Sequence, residues 1–284
     1  GFLGIDSAVV LDPMSRNLFP EEMEITKLYE KWENFSEAEP NTTESQIDAL
    51  NEGQGLINHL GHGYYDTLSF LDIQDVHQLQ NGDMTSVYVS CACYSGAFDW
   101  SAGDSGGEHY LLAPEGGGVA YVGNTEVGIG FPSGMQVVTQ FFENLFEDPR
   151  QLRLGELFGV ARRDFTDDSH RNKEDHPDRW TTFVLVLLGD PAMPVWRHEP
   201  GALEVEYAPQ VIWGENHIDV WAWSDGIPQE GAKITLYRWP DVLVQTEADS
   251  EGHGQLSCYL TPGEAPELAV TVPDHVPYSI VMEN

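Results

Sequence analysis

The sequence predicts an α/β domain over residues 1–198, a mostly parallel sheet with flanking helices, followed by an all-β sandwich over residues 199–284. Three observations carry that prediction. Four short apolar runs, at 56–60, 87–91, 116–123 and 182–188, each end at glycine or alanine, as buried strands of a parallel sheet do. Segments with helical periodicity separate them, which is the alternation of an α/β sheet. Beyond residue 203 the hydrophobic period drops to two, and turn residues recur every few positions.

Taken in order, Ile5-Asp6-Ser7-Ala8-Val9-Val10-Leu11-Asp12 reads as a short strand, followed by a loop containing Pro13 and Pro20. Residues 24–32 fit a strand or a helix by pattern. Asn41-Thr42-Thr43-Glu44 is a helix start, with Ile47, Ala49 and Leu50 facing inward until Gly53 stops it. The run at 56–60 is the first diagnostic strand. An irregular aromatic loop at 64–70 then leads to a helical turn or two at 73–79, and the strand at 87–91 follows. Ser105 and Glu108 have capping-box spacing, which starts a helix ahead of His109-Tyr110-Leu111-Leu112. After the third strand, residues 135–146 place Val137, Val138, Phe141, Phe142 and Leu145 on one helical face. Residues 154–165 do the same with Leu157, Phe158, Ala161 and Phe165. Gly189-Asp190-Pro191 stops the fourth strand, and Arg197-His198-Glu199-Pro200-Gly201 is the linker. Alternating strands then begin near 203, 217, 233, 242, 255, 267 and 278, separated by turns such as Asp225-Gly226-Ile227-Pro228. That number and spacing describe a sandwich of immunoglobulin type, without the Cys-Trp-Cys pattern of antibody domains.

Composition bounds the function. The 284 residues are 41% hydrophobic and 11% aromatic, ordinary for a folded protein, and no apolar run is long enough to span a membrane. The chain opens on Gly1-Phe2-Leu3-Gly4 without an initiator Met, as a mature form or an excerpt would. Asp and Glu number 47 against 13 Lys and Arg, a net charge of −34. The excess is spread along the chain: 15 acids and 2 bases beyond residue 198 give −13, and 32 and 11 before it give −21. Nucleic acid is excluded as a partner, because phosphates would be repelled and no basic stripe offsets the field. Such acidity suits a saline setting or an acidic secreted protein. Three cysteines are too few for a disulfide scaffold, so at least one thiol is expected to be free.

Two strand ends carry reactive groups: Leu60-Gly61-His62-Gly63 and Cys91-Ala92-Cys93. A thiol attacks as its thiolate, and a nearby imidazole can take the proton. Catalytic groups of parallel sheets gather at the carboxyl ends of strands, and the separation 93 − 62 = 31 fits one strand-to-strand crossover. Gly63 lets the backbone approach a substrate, and its N–H with that of Cys93 makes a candidate oxyanion site. From the residues alone, a His/Cys acyl-transfer site stands beside the plainer reading of a buried cysteine and a satisfied histidine.

A strand ending in Gly61-His62-Gly63 and another ending in Ala92-Cys93 resemble the His-Gly and Ala-Cys signatures of caspase-like cysteine peptidases, and within them the gingipain family, peptidase family C25. The likeness extends through 53–63, 87–98, Gly117-Gly118-Val119-Ala120 and Leu188-Gly189-Asp190-Pro191-Ala192-Met193. It implies a caspase/gingipain-like sheet domain and an immunoglobulin-like domain. It further implies a cysteine endopeptidase with Cys93 as nucleophile, His62 as general base and acid, and the N–H groups of Gly63 and Cys93 facing the oxyanion. No cofactor is required, and the substrate is a peptide or protein. Secretion or display at a cell surface goes with it. The family's catalytic domain is longer at its amino end, so the acid that orients the histidine is expected from a missing segment or partner chain covering an open sheet edge. A sortase-like transpeptidase and a catalytically silent adhesion module are the competing readings.

Other residues have weaker claims. Glu126, Asn124, Thr125 and Cys91 are candidates for the substrate pocket, with Glu126 favouring a basic side chain, although Cys91 also reads as inert packing and Glu126 as a surface acid. His59 falls on the face opposite His62 and is expected to pack or hydrogen bond. That alternation also argues against zinc held by His59, His62, Cys91 and Cys93. Asp99, Asp104 and Glu108 are candidates for a structural calcium, against solvated acids or helix capping.

Overall fold

The computed structural model describes residues 6–150, 152–166, 177–208, 210–263 and 265–283. They fall into two units, Gly1–Val195 and Trp196–Asn284. The first unit begins with helix α1 (Ala8–Asn17), a parallel pair β1 (Lys27–Tyr29) and β2 (Ala38–Pro40), and helix α2 (Thr43–Asn51). Strand β3 (Leu56–His59) leads to three short strands, β4 (Gly63–Tyr64), β5 (Thr67–Leu68) and β6 (Leu71–Asp72), then helix α3 (Ile73–Val76). Next come β7 (Ser86–Ser90), α4 (Gly106–Leu111), β8 (Gly118–Asn124), α5 (Met135–Glu147), α6 (Leu154–Thr166), α7 (Pro177–Val184) and β9 (Leu185–Gly189).

The main sheet has the order β3-β7-β8-β9, parallel across the first three strands and antiparallel at β9. Both faces are covered, as the continuous apolar runs require. On one, Val87, Val89 and Val122 pack against Val138, Phe142 and Leu145 of α5 and Leu157 and Phe165 of α6. On the other, Tyr88 and Tyr121 pack against Tyr110 of α4, Leu50 of α2 and Leu68, Leu71 and Leu79. Each fully buried leucine or phenylalanine contributes about 2 kcal/mol by leaving water. Among the described residues β3 is an end strand, with nothing paired on its outer edge.

Local signals place the helices. Thr42 caps α2 by accepting Ser45 N–H while the Ser45 hydroxyl accepts Thr42 N–H. Ser105 and Glu108 form the predicted capping box of α4. Two elements differ from expectation. From Ala8 onward the first predicted strand is helical, and Pro13 lies inside α1 rather than in a loop. The proline removes the hydrogen bond to the Val9 carbonyl, but Val9 is 58% exposed and water can replace it. Asp12 of α1 is buried against Lys27 of β1, Nζ to Oδ1 3.2 Å, and pairs with Arg16 one turn on. That ion pair hides the helical pattern behind a charge. The run at 182–188 likewise crosses a boundary, since its first three residues end α7 and the strand starts at Leu185.

The second unit is all-β: β10 (Glu204–Tyr207), β11 (Gly214–Ser224), β12 (Ile227–Pro228), β13 (Lys233–Arg238), β14 (Asp241–Glu247), β15 (His253–Leu260), β16 (Glu267–Thr271) and β17 (Tyr278–Val281). One antiparallel sheet joins β10, β11, β12 and β15; the other has the order β14-β13-β16-β17. Ile218, Val220, Ala222 and Leu256 of the first share one core with Ile234, Leu236, Leu268 and Val270 of the second.

Candidate active site

Strands β3 and β7 run side by side in the register Asn58↔Val89 and His59↔Ser90, so they end level and release their loops together. Cys91 N–H continues the pairing by donating to His59 O at 3.0 Å. Four residues on, the first loop doubles back against the second. A Cβ built on Gly63 would lie 2.7 Å from Ala92 Cβ and 3.3 Å from Cys93 O, so only glycine fits and the His62-Gly63 backbone rests directly on Ala92-Cys93. His62 is exposed and Cys93 half-buried. The Cys93 Sγ lies 3.7 Å from Gly128 O, and its N–H has no acceptor among the described residues.

The turn after the thiol is strained and firmly held. Tyr94 has φ +58°, a left-handed conformation that costs a non-glycine residue on the order of 1 kcal/mol. Tyr94 N–H donates to Glu126 O and Gly96 N–H to Asn124 O, both at 3.0 Å, which fastens the loop after β7 to the end of β8 and the loop that follows it. The Tyr65 ring is stacked between Tyr94, 4.5 Å away, and Trp100, 4.9 Å away, which joins the histidine loop to the cysteine loop. The first turn of α4 does the same from beneath: Gly106 N–H donates to Tyr65 O at 2.7 Å and Gly107 N–H to Ser95 O at 2.8 Å.

His59 supports this arrangement. Its Nδ1 contacts Ser90 Oγ at 2.9 Å, and that oxygen accepts Ala92 N–H at 3.1 Å. Its Nε2 lies under Gly61, where an added Cβ would come within 2.6 Å. Burial, and secondarily the charge of His62, lower its pKa to about 4, so it is neutral near pH 7.

The remaining predicted residues divide. Cys91 is buried among the residues facing α5, and burial pushes its thiol up to about 12. Asn124 is 3% exposed and donates to Ala92 O at 3.0 Å, and Thr125 directs its N–H and hydroxyl to Val184 O. Both turn polar groups into the protein. Glu126 stays exposed, and it and Asp99 lie near enough to Tyr65 to help burial and Tyr94 raise that phenol's pKa. The Glu108 carboxylate is engaged by Ser105 N–H and Oγ at 2.8 Å, and among the described residues no three His, Cys, Asp or Glu side chains are grouped to hold a metal ion. No carboxylate among them pairs with His62. The sequence reading missed the Tyr65 stack, the His59–Ser90 contact and the α4 amides; only Gly106-Gly107, at a predicted helix start, signalled a close approach.

The sequence profile of peptidase family C25 matches residues 5–196, more than half of the chain. The chain belongs to peptidase family C25. Solved structures agree in fold with this C25 member. Gingipain R (RgpB), an arginine-specific cysteine proteinase, is 21% identical, with a TM-score of 0.63 over 85% of this chain and 56% of its own. The complex of the pro- and mature domains of RgpB from Porphyromonas gingivalis gives 19% identity and a TM-score of 0.64 over 87% and 58%. A further protease gives 14% and 0.62 over 84% and 56%. The chain thus spans under three fifths of the length of each of these proteins. A search of curated protein sequences returned no match. No helix among the described residues is long and apolar enough to cross a membrane.

Proposed function

We propose that this C25 member is a cysteine endopeptidase using Cys93 and His62. The observation that carries the reading is the contact of Gly63 with Ala92-Cys93, which sets the histidine loop on the thiol loop at the carboxyl ends of neighbouring strands. His62 takes the Cys93 proton, and the thiolate adds to the carbonyl carbon of a peptide bond. The carbonyl oxygen becomes an oxyanion facing the N–H groups of Gly63 and Cys93, each such donor stabilising it by about 3 kcal/mol. The intermediate collapses, the C–N bond breaks, and His62 returns the proton to the leaving amine. Water, deprotonated by His62, then hydrolyses the thioester and frees Cys93. Glu126 and Asp99, exposed beside the Tyr65 stack, would favour a cationic substrate side chain.

A strand from a further polypeptide segment is proposed to pair with the open edge of β3 and to bring the group that orients His62. The buried Asn58 Oδ1, which has no hydrogen-bond partner among the described residues, lies on that strand. The second unit is read as immunoglobulin-like, because its first, second and fifth long strands share one sheet and its third, fourth, sixth and seventh the other. Action outside the cell and a chemistry without cofactors complete the proposal. The test is cleavage of a peptide library by the chain with the proposed strand-pairing segment supplied, against Cys93→Ala. Cleavage abolished by the substitution supports the reading, and cleavage surviving it sinks the reading. Ligation products alone, formed with an added amine, would assign a transpeptidase.

A further inference from the structure

Away from the dyad, two histidines meet on the surface. His77 caps the carboxyl end of α3 and His109 lies in the last turn of α4, and His77 Nε2 and His109 Nδ1 are 3.0 Å apart with the ring centres at 4.9 Å. His77 is exposed, so the pair is open to solvent on one side. Two neutral imidazoles in this position share a single proton, with one ring donating and the other offering its lone pair. Imidazole nitrogens that meet this closely are also spaced for a metal. At a Zn–N distance of about 2.05 Å, two ligands stand roughly 3.3 Å apart in tetrahedral and roughly 2.9 Å apart in right-angled coordination. The observed separation falls between those values. The strongly acidic chain raises the local concentration of divalent cations around such a pair.

We propose that His77 and His109 form a two-histidine chelate for a divalent transition-metal ion, with water completing the coordination. The site would be connected to the catalytic loops through α4. Its last turn carries His109, and its first turn donates Gly106 N–H to Tyr65 O and Gly107 N–H to Ser95 O. A metal bridging α3 and α4 holds the six-residue helix in place, and with it the backbones that follow His62 and Cys93. Borderline-soft ions that take imidazole, such as Zn²⁺, Ni²⁺ and Cu²⁺, are the class selected; Mg²⁺ and Ca²⁺, which take oxygen, are not.

The test uses the full chain carrying Cys93→Ala, because a Cys–His dyad binds zinc by itself. Calorimetric titration with ZnCl₂ is expected to give one saturable site, weakened tenfold or more by adding His77→Gln and equally by adding His109→Gln. Zinc is also expected to slow hydrogen exchange at Gly106 and Gly107 in the Cys93→Ala protein but not in the His77→Gln double variant. His77 is exposed, so its replacement leaves the fold intact, which far-ultraviolet circular dichroism checks. Zinc affinity unchanged by both substitutions, or absence of saturable binding, overturns the site. Binding without slowed exchange at the two glycines overturns its connection to the catalytic loops.

Discussion

Placing one methyl group on Gly63 should uncouple the two halves of the proposed dyad. In Gly63→Ala the new Cβ would sit 2.7 Å from Ala92 Cβ, whereas ordinary contacts begin at 3.4 Å, so the loops must part by about 0.7 Å. Ala92 is fully buried and cannot swing aside, and the second contact, Cys93 O at 3.3 Å, is backbone. A displacement near 1 Å at reacting groups lowers rates on the order of 100-fold. A loss of that size is therefore expected in kcat for peptide cleavage and in the rate of Cys93 alkylation by iodoacetamide near neutral pH, with the melting temperature little changed. Ala92→Gly removes the 2.7 Å partner and leaves only the 3.3 Å contact. The double variant should regain most of the loss, apart from the flexibility that glycine adds. Activity of Gly63→Ala within threefold of the parent, or no recovery in the double variant, would refute the geometry.

Three further outcomes follow from the same structure. His59 has a folded pKa of about 4 against 6.5 unfolded, so its contribution to stability is complete above pH 6.5 and is lost as pH falls towards 4, where the unfolded chain binds the extra proton; the loss is up to roughly 3 kcal/mol, and His59→Gln should flatten that part of the profile in urea unfolding. Iodoacetamide should label Cys93 in the native protein and leave Cys91, whose thiol is buried and held near 12, until the chain unfolds, as peptide mass spectrometry would report. Lys27→Met leaves the buried Asp12 with only the exposed Arg16 and should cost about 3 kcal/mol in denaturant unfolding, whereas an unchanged midpoint would mean that Arg16 alone satisfies it.

The sheet and the strand ends whose loops meet at Gly63 and Ala92-Cys93 were legible because both rest on local signals. Apolar runs ending at glycine or alanine located β3, β7 and β8, and Ser105 with Glu108 announced α4. Glycine flanks separated His62 from His59. Alpha-1 was misread because Ala8-Val9-Val10-Leu11 is too short an apolar run to reveal its period, and because Asp12, charged yet buried, becomes intelligible only with Lys27 beside it. The side-chain directions of Asn124 and Thr125 were not legible, because they are set by Ala92 O and Val184 O, carbonyls distant in sequence. The Tyr65 stack has no period at all, since it joins two loops that meet only once the sheet has formed.

The two members of the proposed dyad do not stand on equally stable ground. Cys93 follows an interior strand bonded on both sides, whereas His62 follows β3, which among the described residues is bonded on one side only. Edge strands open at a small fraction of the cost of global unfolding. Fraying of β3 would carry the base away from the thiol while the core of α5, α6 and β7 stayed intact. On the proposed chemistry, the protein is then a latent catalyst whose resting activity is the fraction of time its outer strand is closed. Any chain that pairs with that strand raises the fraction, so recruitment of a neighbour and activation become one event.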